Sequence, residues 1–326
     1  MKQLSLHRYK QNSDLRTCDI LKRTNCYGNK NKRGRRTSIF SMATLIVDSG
    51  STKTDWIIIA GDGSIKTFKT EGINPVVGSI NIINKTITEN FMPQIEGIEI
   101  DRLFFYGAGC TKNKKLLIEE CLAKIFPKTE IEVASDVLAA ARALCGHKEG
   151  IACILGTGSN SCLFNGKDIV ENISPLGYIL GDEGSGAVLG RTFISDVLKG
   201  ELPQDIRDNF FEETHLTEEL IIENVYSKPM PNRFLASFVP FLLRHHHDSQ
   251  IAELLVANFR RFLQRNVKKY NRPDLPINFI GGVANSFLEE ISVALKIEHL
   301  TLGRVEQSPQ KGLICYHTTS ASEFII

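Results

Sequence analysis

Two short runs of small polar residues, DSGSTKTDW from Asp48 to Trp56 and LGTGSN from Leu155 to Asn160, each join two apolar strand-like segments. Glycines in such a turn let the backbone approach a phosphate, exposed N–H groups donate to its oxygens, and Ser and Thr hydroxyls add donors. Asp48 sits at a strand end, where a carboxylate can hold Mg²⁺, usually through water. Lys53 or the hydroxyls of Ser51 and Thr52 can offset phosphate charge. Taken singly, each run also reads as an ordinary β-hairpin turn. Their recurrence at the first hairpin of two consecutive α/β units favours the phosphate reading. Neither a P-loop nor a G-x-G-x-x-G turn occurs in the chain, so a nucleotide must be held another way.

Other candidates are carboxylates and glycines at element junctions. Asp136 follows EIEVAS and precedes VLAAARAL, where the plain alternative is a helix N-cap. Asp182 and Glu183 in GDEGSG precede a long helical stretch, with capping and favourable charge at the helix start as the alternative. Gly107 and Gly109 in FYGAG can bring backbone near a substrate or simply end a strand. The Gly281–Gly282 pair in FIGGVANSF suits a strand-to-helix turn.

The elements that must position these residues follow from pattern and punctuation. TLIVD, TDWIIIAG and SIKTFKT predict a three-stranded antiparallel meander. A helix over 79–93, a strand RLFFYG, a helix over 113–126, a strand EIEVAS and a helix over 137–144 follow. IACILGTGSNSCLFNGK restarts the strand pattern, and the periodicity is then helical from Gly184 to about Tyr270. INFIGG returns as a strand, ANSFLEEISVALK as one helix, and SPQKGLICYH as a short closing helix.

The predicted organisation is an arm at 1–42, an N-terminal domain at 43–150, a C-terminal domain at 151–317 whose last helix packs back on the first, and a tail at 318–326. Residues 1–41 carry eleven Lys/Arg against Asp14 and Asp19, a net +9, while the remainder carries −7. The arm reads as disordered, and as upstream sequence before a start at Met42, because the chain would then open on a core strand. A nucleic-acid or anionic-surface tether and an organelle transit peptide are the alternatives. The acidic body disfavours a nucleic-acid or membrane footprint. The longest apolar stretch, near Leu235 to Leu243, is broken by Ser237 and Pro240 and falls short of the ~18 residues of a membrane helix.

Eight scattered cysteines without a C-x-x-C pair read as reduced, buried thiols of a cytoplasmic protein, metal-free apart from a nucleotide-bound ion. His245, His246 and His247 can bind a metal, but adjacent helical positions diverge, so a solvated helix end is the reading taken.

Seven motifs in register, DSGSTKTDW, EGINP, FYGAG, ASDVLAAA, ILGTGSNS, GYILGDEGSG and FIGGVANSF, resemble the superfamily of actin-like ATPases, sugar kinases and heat-shock ATPases over about Thr44 to His317. Within it the chain is similar to the BadF-type ATPases and the N-acetylglucosamine kinases. The resemblance implies an α/β fold of two ribonuclease-H-like (actin-like ATPase) domains flanking a nucleotide cleft that holds ATP and Mg. It implies ATP binding by Asp48, Gly50, Ser51, Thr52, Lys53 and Thr54 in the first turn and by Gly156, Thr157, Gly158, Ser159 and Asn160 in the second. Gly281 and Gly282 would lie under the adenosine.

The resemblance further implies Asp136 as general base, and sugar contacts from Asn74, Gly107, Gly109, Asp136, Pro175, Leu176, Gly177 and Asp182. Where the kinase pattern carries Trp, this chain has Leu176, which bears on the choice of sugar. The implied reaction is phosphorylation of an amino sugar hydroxyl, N-acetylglucosamine to its 6-phosphate, with homodimerisation implied in the same way. Two other functions fit the same fold. One is a BadF-type ATPase that activates an iron–sulfur partner, which needs clustered cysteines. The other is a non-catalytic nucleotide-dependent sensor.

Overall fold

A computed structural model of the chain describes residues 43–50, 53–76, 79–110 and 112–318. The basic arm, Ser51, Thr52 and all of the tail but Thr318 lie outside the described residues.

The expected meander is present as β1 (Thr44–Ser49), β2 (Lys53–Ile59) and β3 (Ile65–Glu71), each antiparallel to the one before. The chain then runs through α1 (Ile80–Lys85) to β4 (Arg102–Gly107), parallel to β1, and through α2 (Lys112–Ile125) to β5 (Glu130–Ser135), parallel to β4. Helix α3 (Asp136–Cys145) leads to β6 (Glu149–Leu155), β7 (Ser159–Asn165) and β8 (Ile169–Glu171), again antiparallel in turn. Much later β9 (Ile277–Ile280) joins β6 in parallel and β10 (Leu302–Glu306) joins β9. The sheet orders are β3-β2-β1-β4-β5 and β8-β7-β6-β9-β10. Counted from the first strand of each, both read 3-2-1-4-5, so the repeated turn motif belongs to a repeated ribonuclease-H-like sheet.

The central strands β1 and β6 are nearly continuous apolar runs because both sheet faces are covered. Edge strand β3 instead alternates, with exposed Lys66 and Lys69 that discourage pairing with another chain.

Helix α3 ties the two sheets together. Its alanines pack in one cluster with Ile46 and Tyr106 of the first sheet and Ala152, Phe164 and Ile280 of the second. The closing helix α13 (Gln310–Thr318) lies on α3 so closely that a Cβ at Gly312 would fall 2.3 Å from the Ala143 carbonyl oxygen. The Tyr106 hydroxyl seals this layer. It accepts from Arg142 Nη1 at 2.7 Å and meets His317 Nε2 at 2.8 Å. Burial, reinforced by Arg142, holds the His317 ring down to about 3, so the imidazole is neutral and accepts from the phenol.

Between β8 and β9 lie the short helix α4 (Gly177–Leu180), which was not expected, and the expected helical stretch: α5 (Gly186–Lys199), α6 (Gln204–Thr214), α7 (Glu218–Tyr226), α8 (Pro231–Ala236), α9 (Val239–Arg244) and α10 (Ser249–Arg265). Pro203, Pro231 and Pro240 punctuate it at helix starts, where a missing N–H costs nothing. Among the described residues no helix is long and apolar enough to cross a membrane.

Two expected helices differ. The helix over 79–93 keeps α1 but loosens to a π turn over Thr86–Phe91 and a 3₁₀ turn over Met92–Ile95, because Pro93 cannot donate to the helical ladder. ANSFLEEISVALK forms α11 (Gly282–Ser286) and α12 (Leu288–Ile297), broken where Phe287 turns into the core at φ −117 and ψ 39.

Candidate active site

The carboxyl ends of β1, β4 and β5 lie side by side, with Asp48 in register with Tyr106, Ser49 with Gly107, and Gly107 with Ser135. Asp136 follows Ser135 directly, so topology brings Asp48 and Asp136 to one sheet edge, where open α/β sheets bind ligands. Across the hairpin Asp48 pairs with Asp55, and direct cross-strand partners share a face.

Asp55 is 3% exposed. Its Oδ2 lies 3.1 Å from Lys53 Nζ, while its Oδ1 is buried and has no hydrogen-bond partner among the described residues. Burial, then repulsion from Asp55 and Asp136, pushes Asp48 up to about 7, with Lys53 offsetting part of the rise. Burial also raises Asp136 to about 6, against the pull of the Val137 N–H that its Oδ1 accepts at 2.9 Å. Surplus negative charge, hard oxygen donors and an unpartnered buried oxygen make a donor set that fits a divalent cation.

The capping alternative fails for Asp136. The residue that accepts from the helix amide is Ser135, whose Oγ takes Leu138 N; Asp136 is the first helical residue. It fails for the GDEGSG carboxylates as well, because α5 is capped by Ser185. Asp182 is not spent on capping, and Asp136 gives only its Oδ1, to Val137 N.

The EGINP segment is clipped to this edge. Ser49 and Thr54 hydroxyls meet at 2.6 Å, Ser49 Oγ donates to Ile73 O and accepts from Ile73 N, and Thr54 Oγ1 donates to Glu71 O. Thr54, expected at the phosphates, is fully buried and its hydroxyl serves this clip. The clip sets Asn74 against Gly109. With φ +76, Gly109 would place a Cβ 2.5 Å from Asn74 Oδ1, so only glycine fits. The backbone between β1 and β2 closes with Gly50 N donating to Lys53 O at 3.0 Å.

The second turn sits at the start of α5. Gly186 N donates to Gly156 O, Ala187 N to Thr157 O, and Gly156 N to Gly158 O. Asp182, at φ +53, accepts from Ser159 N at 3.3 Å, and its Oδ2 would lie 3.2 Å from a Cβ at Gly158. Expected at the sugar, Asp182 therefore lies against the second turn. Burial raises it to about 6, offset by the Ser159 N–H. Asn160 Oδ1 is engaged by Ser161 N and Asn172 Nδ2. Pro175 O accepts from Asp182 N at 2.8 Å, and a Cβ at Gly181 would fall 2.1 Å from that oxygen, so the Pro175–Gly177 segment folds tightly on GDEG. Leu176 is 56% exposed there at φ 61.

Gly281, at φ +123, approaches the end of β6 so closely that a Cβ would lie 2.3 Å from Leu155 O, while a Cβ at Gly282 would meet open space. FIGG is thereby set beside the second turn. The two groups of residues are linked through α3, where Val137 O accepts from Cys162 Sγ of β7 at 3.9 Å.

Asp55 and Glu183 are what sequence reasoning missed or misread. Asp55 was legible by counting outward from the hairpin turn, which puts it opposite Asp48. Glu183 is buried and holds Arg265 and Asn266 at the end of α10, a role no local signal announces. Cys110, Cys121, Cys145, Cys153 and Cys162 are free and buried or half-buried. Burial pushes the thiols of Cys110 and Cys162 up to about 12 and Cys145 to about 11, which keeps them protonated.

A candidate N-acetylglucosamine kinase from Porphyromonas gingivalis is 53% identical to this chain. It superposes with a TM-score of 0.81, covering 84% of this chain and 98% of its own. A second candidate N-acetylglucosamine kinase, from Chromobacterium violaceum, is 17% identical and shares the fold, with a TM-score of 0.66 over 85% of this chain and 99% of its own. No protein-family model matches the chain, and a search of curated proteins finds no match.

Proposed function

This chain belongs to the N-acetylglucosamine kinase family, and on that premise we propose that it phosphorylates an amino sugar with ATP and Mg, N-acetylglucosamine at its 6-hydroxyl being the acceptor. The observation that carries the reading is the convergence of Asp48, Asp55 and Asp136 on one sheet edge while Ser135 takes the capping duty. Magnesium ATP supplies the γ-phosphoryl group and the counter-charge on its oxygens when bound. Asp48 and Asp55 would hold the cation, and Lys53, beside Asp55, would balance phosphate charge.

The Asp136 carboxylate accepts the proton of the sugar hydroxyl. Raised to about 6, it is mostly ionised at neutral pH yet basic enough to take a proton as the oxygen attacks. Positioning and charge neutralisation carry phosphoryl transfer, with the base orienting the nucleophile. The backbone amides of Thr157 and Gly158 donate to the phosphates, and Asp182 braces that turn by accepting from Ser159 N. Asn74, fixed against Gly109, orients the sugar. Gly281 sets the FIGG turn against β6, and Gly282, where a Cβ would meet open space, lies under the adenosine.

The division into two domains falls near Gly150 in this reading, with α3 and α13 as the joint across which they close on substrate. The free, protonated thiols of Cys110, Cys145 and Cys162 support a reducing, cytoplasmic setting.

The test is ADP release by the purified chain with ATP and Mg, comparing no acceptor with N-acetylglucosamine, N-acetylmannosamine, N-acetylmuramic acid, glucosamine and glucose. Strong stimulation by N-acetylglucosamine supports the proposal. Acceptor-independent hydrolysis, or stimulation by glucose alone, defeats it.

A further inference from the structure

Helix α9 ends at Arg244, so His245, His246 and His247 lie on the turn that leads to the Asp248 cap of α10. The divergence of adjacent helical positions therefore does not apply to them. One ring nitrogen each from His246 and His247 and a carboxylate oxygen of Glu289, in the first turn of α12, lie within 4.8 Å of one another. The two imidazole rings sit 3.9 Å apart at 36°. Behind them stands Glu290, its side chain 7% exposed, accepting from His246 Nδ1 at 2.7 Å. The other oxygen, Oε2, is buried with no partner among the described residues.

We propose that His246, His247 and Glu289 bind one zinc or similar borderline divalent ion, with Glu290 as the positioning carboxylate. A ligating histidine commonly donates its second ring N–H to a carboxylate, which fixes the tautomer and raises the basicity of the ligating nitrogen. Glu290 does this for His246, leaving Nε2 for the metal. Two imidazoles and a carboxylate suit Zn²⁺, with Ni²⁺ and Cu²⁺ as competitors, whereas Mg²⁺ and Ca²⁺ prefer all-oxygen sites. The ion is therefore of a different class from the one suited to Asp48. Metal–ligand bonds of about 2.1 Å require the ligand atoms to close to about 3.4 Å. Rotation of His247 and Glu289 accomplishes this without moving backbone, because both side chains are exposed.

Three protein ligands leave a fourth position open to water. It faces an open depression of about 500 Å³ that Ser249, Glu253 and Val293 also line. The ion would clasp the turn before α10 to the start of α12, and none of its ligands is a residue assigned to the kinase site.

The test uses the untagged, metal-free full chain, titrated with Zn²⁺ against a chromophoric chelator and with Co²⁺ for its visible spectrum. The expected result is one equivalent of zinc and cobalt d–d bands without intense near-ultraviolet thiolate absorption. His247→Ala and Glu289→Ala, both at exposed positions, lose that equivalent, and Glu290→Gln weakens it by about 10–100-fold. The His247→Ala chain keeps its kinase turnover and metal-free melting temperature. No zinc bound by the wild-type chain, a thiolate-type cobalt spectrum, or unchanged affinity in His247→Ala overturns the proposal.

Discussion

Asp55 stands directly opposite Asp48 across the antiparallel β1–β2 ladder, buried, with one oxygen on Lys53 and the other unpartnered among the described residues. Two carboxylates on one face of a hairpin repel. The protein tolerates this at the sheet edge where phosphate chemistry is proposed, a common trade of stability for function.

Burial of Asp48, together with that repulsion, sets a pH dependence of stability. Asp48 titrates at about 7 in the folded chain against 3.8 for the ordinary group, so the folded state holds the proton more tightly. The contribution is fully favourable below pH ~4 and is lost as pH rises through ~7. Ligand-free wild-type protein should melt at lower temperature at pH 8 than at pH 5. Asp48→Asn should flatten that slope and gain on the order of 1–3 kcal/mol at pH 8, while sugar phosphorylation collapses. A slope that Asp48→Asn leaves intact would refute the assignment.

Asp136 carries the catalytic prediction. Asp136→Asn should lower kcat by about 10²–10⁴-fold with little change in the KM for sugar. Wild-type kcat should fall below pH ~6 as Asp136 takes its proton, and the residual activity of the variant should lack that limb. Because Ser135 caps α3 and the buried carboxylate destabilises the fold once ionised, the variant at neutral pH should melt at the wild-type temperature or above it.

Gly109→Ala tests the sugar side. The added methyl would lie 2.5 Å from Asn74 Oδ1 at a φ of +76, so Asn74 must move. The KM for the sugar should rise about tenfold or more, as when a 1 Å misplacement spoils positioning, while the KM for ATP stays within about twofold. Equal effects on both constants would argue against Asn74 as a sugar contact.

Tyr106→Phe tests the joint between α3 and α13. It leaves Arg142 and the neutral His317 each short of a buried partner and should cost about 1–3 kcal/mol in urea unfolding.

Much of the fold was legible because β1 and β6 are long apolar runs that end in turn residues, and the repeat of that pattern announces the repeated sheet. Strands β8 and β10 were not legible. One is three residues long with Val170 exposed, and the other, LGRVE, mixes Gly and Arg at a sheet edge. The site divides in the same way. Asp48 and Asp136 could be placed from strand ends alone. The commitments of Thr54 to Glu71 and of Asn160 to Asn172 rest on partners many residues distant, which local patterning does not register. The cap of α3 turns on a one-residue shift, from Asp136 to Ser135, that spacing alone leaves open.

The central claim is sugar phosphorylation, and its most direct test is product analysis. The purified chain is incubated with ATP, Mg and N-acetylglucosamine, and ADP and sugar phosphate are quantified together by mass spectrometry, with phosphorus NMR locating the ester. The account predicts one N-acetylglucosamine 6-phosphate for each ADP, abolished in Asp136→Asn. ADP formed without sugar phosphate, or at the same rate with no sugar present, would contradict it.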